Sequence, residues 1–96
     1  MTETTLFNNA GSTNPASIAL SDDVRNYDEI VLVALVARDG GYITCEYYPS
    51  SVLTAGVNLA CCSDTTYVTY TLTDWTTLTY VSNIDFVIKK ILGITR

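Results

Sequence analysis

The residues of this chain that could do chemistry are carboxylates, hydroxyls and thiols, because its 96 residues include no histidine. Histidine is the usual general base and metal ligand near neutral pH. Asp22, Asp23, Asp28 and Glu29 lie within one short segment, and paired carboxylates can hydrolyse glycosides. Such acids are also typical of a polar loop whose side chains bond nearby backbone. No catalytic motif surrounds them, so we predict a structural role and no enzymatic activity.

Other catalytic and cofactor patterns are equally weak. A serine–lysine pair would have to use Lys89 or Lys90, which stand in no motif. Gly40-Gly41 is typical of a hairpin rather than of a phosphate-binding loop. The sequence therefore predicts no cofactor.

The three cysteines are more typical of small packed side chains than of a disulfide framework or a metal site. Cys45, Cys61 and Cys62 are an odd number, which favours free thiols over a disulfide framework. Adjacent side chains on a strand point to opposite faces, so a bond between Cys61 and Cys62 would need a strained turn. Three cysteines at this spacing are too few for a zinc site, and we expect small buried side chains and no bound metal.

Aromatic side chains are the best candidates for ligand contacts. Trp75, Tyr47 and Tyr48 could stack on sugar rings or fill a partner's pocket, although cross-strand packing is the alternative. Tyr47 and Tyr48 are neighbours, so one of them should point outward. Trp75 follows Asp74 at a predicted strand start, and we expect it to be an exposed anchor near the rim.

Composition sets the class of protein. The chain is 48% hydrophobic and 16% charged, which excludes disorder and is compatible with one domain over residues 1–96. Five Lys and Arg against ten Asp and Glu give a net charge of −5, which argues against nucleic acid as the partner. The longest apolar run, Ile30–Ala37, is far shorter than the roughly 20 residues of a spanning helix, so we predict no membrane insertion. The N-terminal segment lacks a secretory pattern, which favours assembly in the cytosol.

Short runs of β-branched and aromatic residues, separated by turn residues, predict about eight strands. Arg38-Asp39-Gly40-Gly41 is the strongest turn signal, because a tight hairpin needs positive φ. Asn8–Pro15 reads as a loop, Ser21–Asp28 as a polar connection and Ser82-Asn83 as a break. The predicted strands are Thr4–Phe7, Ala16–Leu20, Ile30–Ala37, Tyr42–Tyr48, Val57–Cys61, Thr66–Thr73, Trp75–Val81 and a last run from Ile84 to Ile94.

Side-chain alternation predicts the faces. Ile84, Phe86 and Ile88 should share one face, and we prefer a strand to a helix for this last run because Ile and Val dominate it. A second face, which we call the threonine face, should collect Thr69, Thr71, Thr73, Thr77 and Thr79; it is either solvated or packed on an identical subunit. The fold class is therefore all-β, an antiparallel β-sandwich of jelly-roll or tumour-necrosis-factor-like type or of immunoglobulin-like type.

Two segments resemble a recurrent pattern of bacteriophage tail and tail-fibre proteins. The stretch Ser17–Leu32 is similar to a strand ending in Leu-Ser-Asp, a polar link with Asn-Tyr-Asp and an apolar strand. The stretch Ile84–Gly93 resembles the Ile-rich closing strand of those domains.

The resemblance implies a knob-like β-sandwich of the phage virion, typically a homotrimer, assembled with other tail proteins in the host cytoplasm. Such domains contact a host surface glycan or protein, and no shared catalytic residue can be carried over. The expected function is thus a tail structural or knob protein that contributes to host attachment. The alternative is a stand-alone carbohydrate-binding module that uses Trp75 and the tyrosines.

Overall fold

The computed structural model describes residues 1–38 and 40–96 and consists of two packed antiparallel sheets. Sheet I has the order β1-β8-β3-β4, and sheet II has the order β2-β7-β6-β5. The predicted all-β sandwich is therefore confirmed. The strands are β1 (Thr2–Asn8), β2 (Ser17–Ala19), β3 (Glu29–Val36), β4 (Tyr42–Pro49), β5 (Asn58–Ser63), β6 (Thr66–Asp74), β7 (Thr77–Ile84) and β8 (Phe86–Thr95).

The strand order narrows the sandwich type. In an immunoglobulin constant-type sandwich the first two strands share one sheet. Here β1 and β2 lie in different sheets, and they pair with β8 and β7 respectively. The middle of the chain pairs sequentially, as the hairpin β3–β4 and the meander β5–β6–β7. The immunoglobulin-like alternative therefore does not describe the topology.

Alternating side chains build the core between the sheets. In β6, Val68, Tyr70 and Leu72 are buried while Thr69 and Thr71 face outward, as predicted. The inner faces of β3 and β8 complete the core from the opposite sheet. Tyr70 is 2% exposed, and its hydroxyl donates to the Pro15 carbonyl at 2.7 Å, so the largest core side chain keeps a hydrogen bond.

The hairpin β3–β4 forms where predicted, with Val36 opposite Tyr42. Gly40 and Gly41 have φ of 85° and 83°, the positive values that the turn chemistry requires. Asp39, the residue before them in the predicted turn, lies outside the described residues.

Two predictions around β7 are wrong. Asp74 accepts a hydrogen bond from the Thr76 amide at 2.8 Å, so Trp75 belongs to a turn and β7 begins only at Thr77. At the other end, β7 continues through Ser82-Asn83, and the chain breaks at Asp85, whose φ is 51°.

That break changes the predicted face of the last run. Phe86 and Ile88 are buried, but Ile84 is 44% exposed. Asp85 turns the chain between them, so Ile84 does not share their face. The run from Phe86 is a strand rather than a helix, as preferred.

The sandwich has two distinct ends. At what we call the link end, the short 3₁₀ helices Val24–Asn26 and Ser50–Val52 contact each other, and the first of them is hydrogen-bonded to the β6–β7 turn. At the hairpin end, Arg38 reaches both Thr65 of the β5–β6 turn and Asp85 of the β7–β8 turn. The predicted loop between β1 and β2 crosses the sandwich beside Phe86 and Ile88.

Candidate functional site

Trp75 does not form the exposed anchor that we expected. It is half-buried, packs against the core, and lies below the Arg25 guanidinium, whose carbon is 4.6 Å from the ring centroid. The Val24 amide donates to the Trp75 carbonyl at 3.0 Å, which ties the β6–β7 turn to the neighbouring 3₁₀ helix. Arg25 therefore already uses the ring in a cation–π contact.

Tyr47 and Tyr48 point to opposite faces of β4, as predicted. Tyr47 is 61% exposed on the outer face of sheet I. Tyr48 is half-buried, and its hydroxyl accepts from the Ala60 amide at 2.9 Å and donates to the Ala60 carbonyl at 2.7 Å. Desolvation raises the pKa of Tyr48. The three predicted ligand-binding aromatics thus do not form one stacking platform.

The acidic group of the link is engaged in local hydrogen bonds. Asp22 accepts from the Tyr27 hydroxyl at 2.9 Å, the Asp23 amide at 2.8 Å and the Asn26 side chain at 3.0 Å. These bonds, with that of Tyr27 the largest contribution, lower the pKa of Asp22. Asp23 caps the 3₁₀ helix and pairs with Arg25 at 2.7 Å.

The other two acids hold the C-terminus. Asp28 accepts from the backbone amide of Arg96 at 2.7 Å, and Glu29 forms an ion pair with the Arg96 guanidinium. All four acids of the sequence cluster therefore have structural partners, as the loop interpretation predicted.

The cysteines divide into two environments. Cys61 is buried in the core, and burial raises its pKa to about 12. Cys45 and Cys62 are exposed, so the expectation of small buried side chains is right for Cys61 and wrong for the other two. Cys61 and Cys62 do point to opposite faces, as predicted.

The outer face of sheet I carries a second apolar cluster. Val31, Leu92 and Ile94 are 2%, 9% and 5% exposed although they lie outside the sandwich core, and Val33 packs beside them. They form the floor of a groove of about 300 Å³, the apolar groove. Its other lining residues are Met1, Glu3, Glu29, Cys45, Tyr47 and Arg96.

The outer face of sheet II is polar but uncharged. Thr73 and Thr79 share a hydrogen bond at 2.6 Å, and Thr71 donates to Asn58 at 2.7 Å. In the four strands of this sheet the only charged residue is Asp74, at the end of β6. The threonine face thus exists as predicted, and part of its hydroxyl groups are paired across strands.

A cavity of about 440 Å³ at the hairpin end was not predicted. It lies between the β1–β2 loop and the end of β7, and its lining includes Ser12, Thr13, Tyr80, Asn83 and Asp85. The only sequence signal was the density of Asn, Ser and Thr in the loop, which also reads as ordinary turn chemistry.

Within residues 1–38 and 40–96, no group of three or more Cys, Asp and Glu side chains is placed to hold a metal ion. No helix in this part of the chain is long and apolar enough to cross a membrane. No protein-family model matches the sequence, and no curated protein matches it significantly.

Proposed function

We propose that this chain is a structural or knob protein of a bacteriophage tail, that it assembles as a homotrimer, and that it contributes to host attachment. The observation that carries the proposal is the apolar groove beside the free edge of sheet I. The remaining support comes from the two sequence segments that resemble tail proteins.

Those two segments pack on each other in the fold. Tyr27, the tyrosine of the Asn-Tyr-Asp link, lies against Gly93, the glycine that ends the Ile-rich run. The Asp28 amide also donates to the Ile94 carbonyl at 2.8 Å. The two resembling segments are therefore neighbours in the fold.

The outer face of sheet I is suited to a second copy of the chain. Next to the groove, β4 is the last strand of the sheet, and its Ile43 and Tyr47 are 60% and 61% exposed. An uncovered edge strand with apolar side chains tends to associate with another chain. Tyr47 lines the groove and Ile43 lies on the same face of β4, so both side chains extend the apolar surface of the groove. A homotrimer would use a head-to-tail contact, in which this surface of one copy meets a different surface of the next and the contacts close into a ring.

Area and charge favour the same contact. Four strands about 4.8 Å apart and about eight residues long give a face of roughly 500 Å². With the edge of β4 added, this is of the order of the roughly 800 Å² per partner in stable interfaces. Glu46 is the only charged residue of β4, and Glu29 is paired with Arg96. Glu3 is then the one carboxylate among the described groove-lining residues without an ion pair, so the groove itself adds little repulsion between copies with a net charge of −5.

The test compares a double variant, Ile43→Ser with Tyr47→Ser, with the control Val52→Ser, which removes a side chain of equal exposure, 61%, at the link end. Light scattering should give a monomer for the double variant and the wild-type assembly for the control. Fluorescently labelled wild-type protein should adsorb to susceptible bacteria more strongly than the labelled monomeric double variant, because linked copies bind with higher avidity. An assembly that survives the double variant contradicts the proposed interface.

A further inference from the structure

The cavity at the hairpin end has rigid walls. Asn14 donates to the Phe86 carbonyl at 2.8 Å and accepts from the Ile88 amide at 2.8 Å. Asn9 fixes the same loop through the carbonyls of Thr13 and Ile88, at 3.0 and 2.8 Å. A ligand would therefore meet a loop that is already ordered.

The opposite wall is equally fixed. The Tyr80 ring stands edge-on to Tyr70 with centroids 5.7 Å apart, and the Tyr70 hydroxyl holds the Pro15 carbonyl of the loop. The Asn83 amide donates to the Tyr80 hydroxyl, which orients both side chains. Tyr80, Phe86 and Val87 give the cavity an apolar side.

Polar groups with unused capacity surround this space. The Asn83 amide nitrogen is engaged, which leaves its oxygen to accept, and the Tyr80 hydroxyl retains a proton to donate. Asp85 uses one carboxylate oxygen for Arg38, at 2.8 Å to the guanidinium, which leaves the other oxygen. Among the described residues, the hydroxyls of Ser12 and Thr13 bond to no other side chain or backbone group.

From this arrangement we infer that the hairpin-end cavity binds a neutral pyranose sugar. A sugar ring presents alternating hydroxyl donors and acceptors, which match the amide, carboxylate and hydroxyl groups around the cavity. Its apolar C–H face matches the Tyr80 ring and Val87. The cavity volume lies within the roughly 300–1,000 Å³ of ligand pockets.

Charge selects a neutral ligand. Asp85 is the one residue with a charged side chain among the described lining residues, and it forms an ion pair with Arg38. A net charge of −5 disfavours an acidic sugar. The inference rests on the proposed function in one respect, since it names the chemistry of a host glycan that the attachment protein would contact.

The test uses saturation-transfer NMR with the methyl glycosides of glucose, galactose, mannose and rhamnose and with N-acetylglucosamine. The wild-type protein should give signals with at least one of these sugars. Asn83→Ala should weaken that binding about tenfold, through loss of one hydrogen-bonding group. The control Asn58→Ala removes another exposed Asn of the same sheet, and it should leave binding unchanged.

Three results would overturn the inference: no signal with any sugar at millimolar concentration, equal binding by Asn83→Ala and wild type, or loss of binding only with Trp75→Ala. Circular dichroism of each variant checks that it folds. Sedimentation of the same samples separates the two proposals. A monomer that binds sugar contradicts only the proposed trimer, and a trimer that binds no sugar contradicts only the proposed sugar site.

Discussion

The substitution Gly93→Ala probes the contact that joins the two segments resembling tail proteins. A Cβ at position 93 would lie 2.6 Å from Cγ and Cδ1 of Tyr27, whereas ordinary contacts begin near 3.4 Å. The ring would have to retreat by almost 1 Å. It is held by its hydroxyl bond to Asp22 at 2.9 Å and by its packing on the core, so it cannot yield freely.

The expected loss of stability follows from two opposed effects. Overpacking of this kind costs about 1–3 kcal/mol. Replacing a strand glycine with alanine restores about 0.5–1 kcal/mol, since the unfolded chain loses freedom. The midpoints of these two ranges leave a net loss of roughly 1.3 kcal/mol, which corresponds to a melting temperature lower by about 5–10 °C in a domain of this size.

Thermal unfolding followed by circular dichroism, at one protein concentration, measures the effect. The matched control is the same substitution in a Tyr27→Ala background, where the obstructing ring is gone and Gly93→Ala should be neutral or slightly stabilising. An equal loss in both backgrounds, or no loss in the wild-type background, would refute the reasoning.

Two further predictions concern thiols and pH. In the assembled protein we expect one fast-reacting thiol per chain, Cys62, because the trimer contact shields Cys45 and the core shields Cys61. The Ile43→Ser, Tyr47→Ser variant should show two fast-reacting thiols, and the denatured chain should show three. A second fast-reacting thiol in the assembled wild-type protein would count against the contact. Because hydrogen bonds lower the pKa of Asp22, its contribution to stability is complete above its unfolded value of about 3.9 and is lost as the pH falls through its folded value. Asp22→Asn should therefore lose less stability than wild type between pH 7 and pH 3 in urea titrations, and an unchanged pH dependence would contradict this role.

Strand existence was predictable because it depends on local pattern. In β6 the alternation of Val68, Tyr70 and Leu72 with threonines identifies the buried face directly. The positive φ of Gly40 and Gly41 follows from the same local chemistry. Strand ends were less predictable. The break between β7 and β8 falls at Asp85, which adopts positive φ, a conformation that Asp tolerates better than most residues. Nothing in Ser82-Asn83-Ile84 indicates that the break lies at Asp85 rather than at the predicted Ser82-Asn83.

The candidate sites depend on contacts that no local pattern reports. Trp75 is half-buried because Arg25, fifty positions away, lies over its ring. The hairpin-end cavity brings together Ser12 and Asp85 from opposite ends of the sequence. The apolar groove was hidden because Val31 and Ile94 look like ordinary core residues until the sheet places them on its outer side.

Sedimentation equilibrium of the wild-type protein at micromolar concentration tests the central claim most directly. A homotrimer of the 10.5 kDa chain predicts a mass of about 31 kDa that falls to the monomer mass when Ile43 and Tyr47 are both replaced by serine. A wild-type mass of 10.5 kDa across the concentration range would contradict the proposed trimeric tail protein.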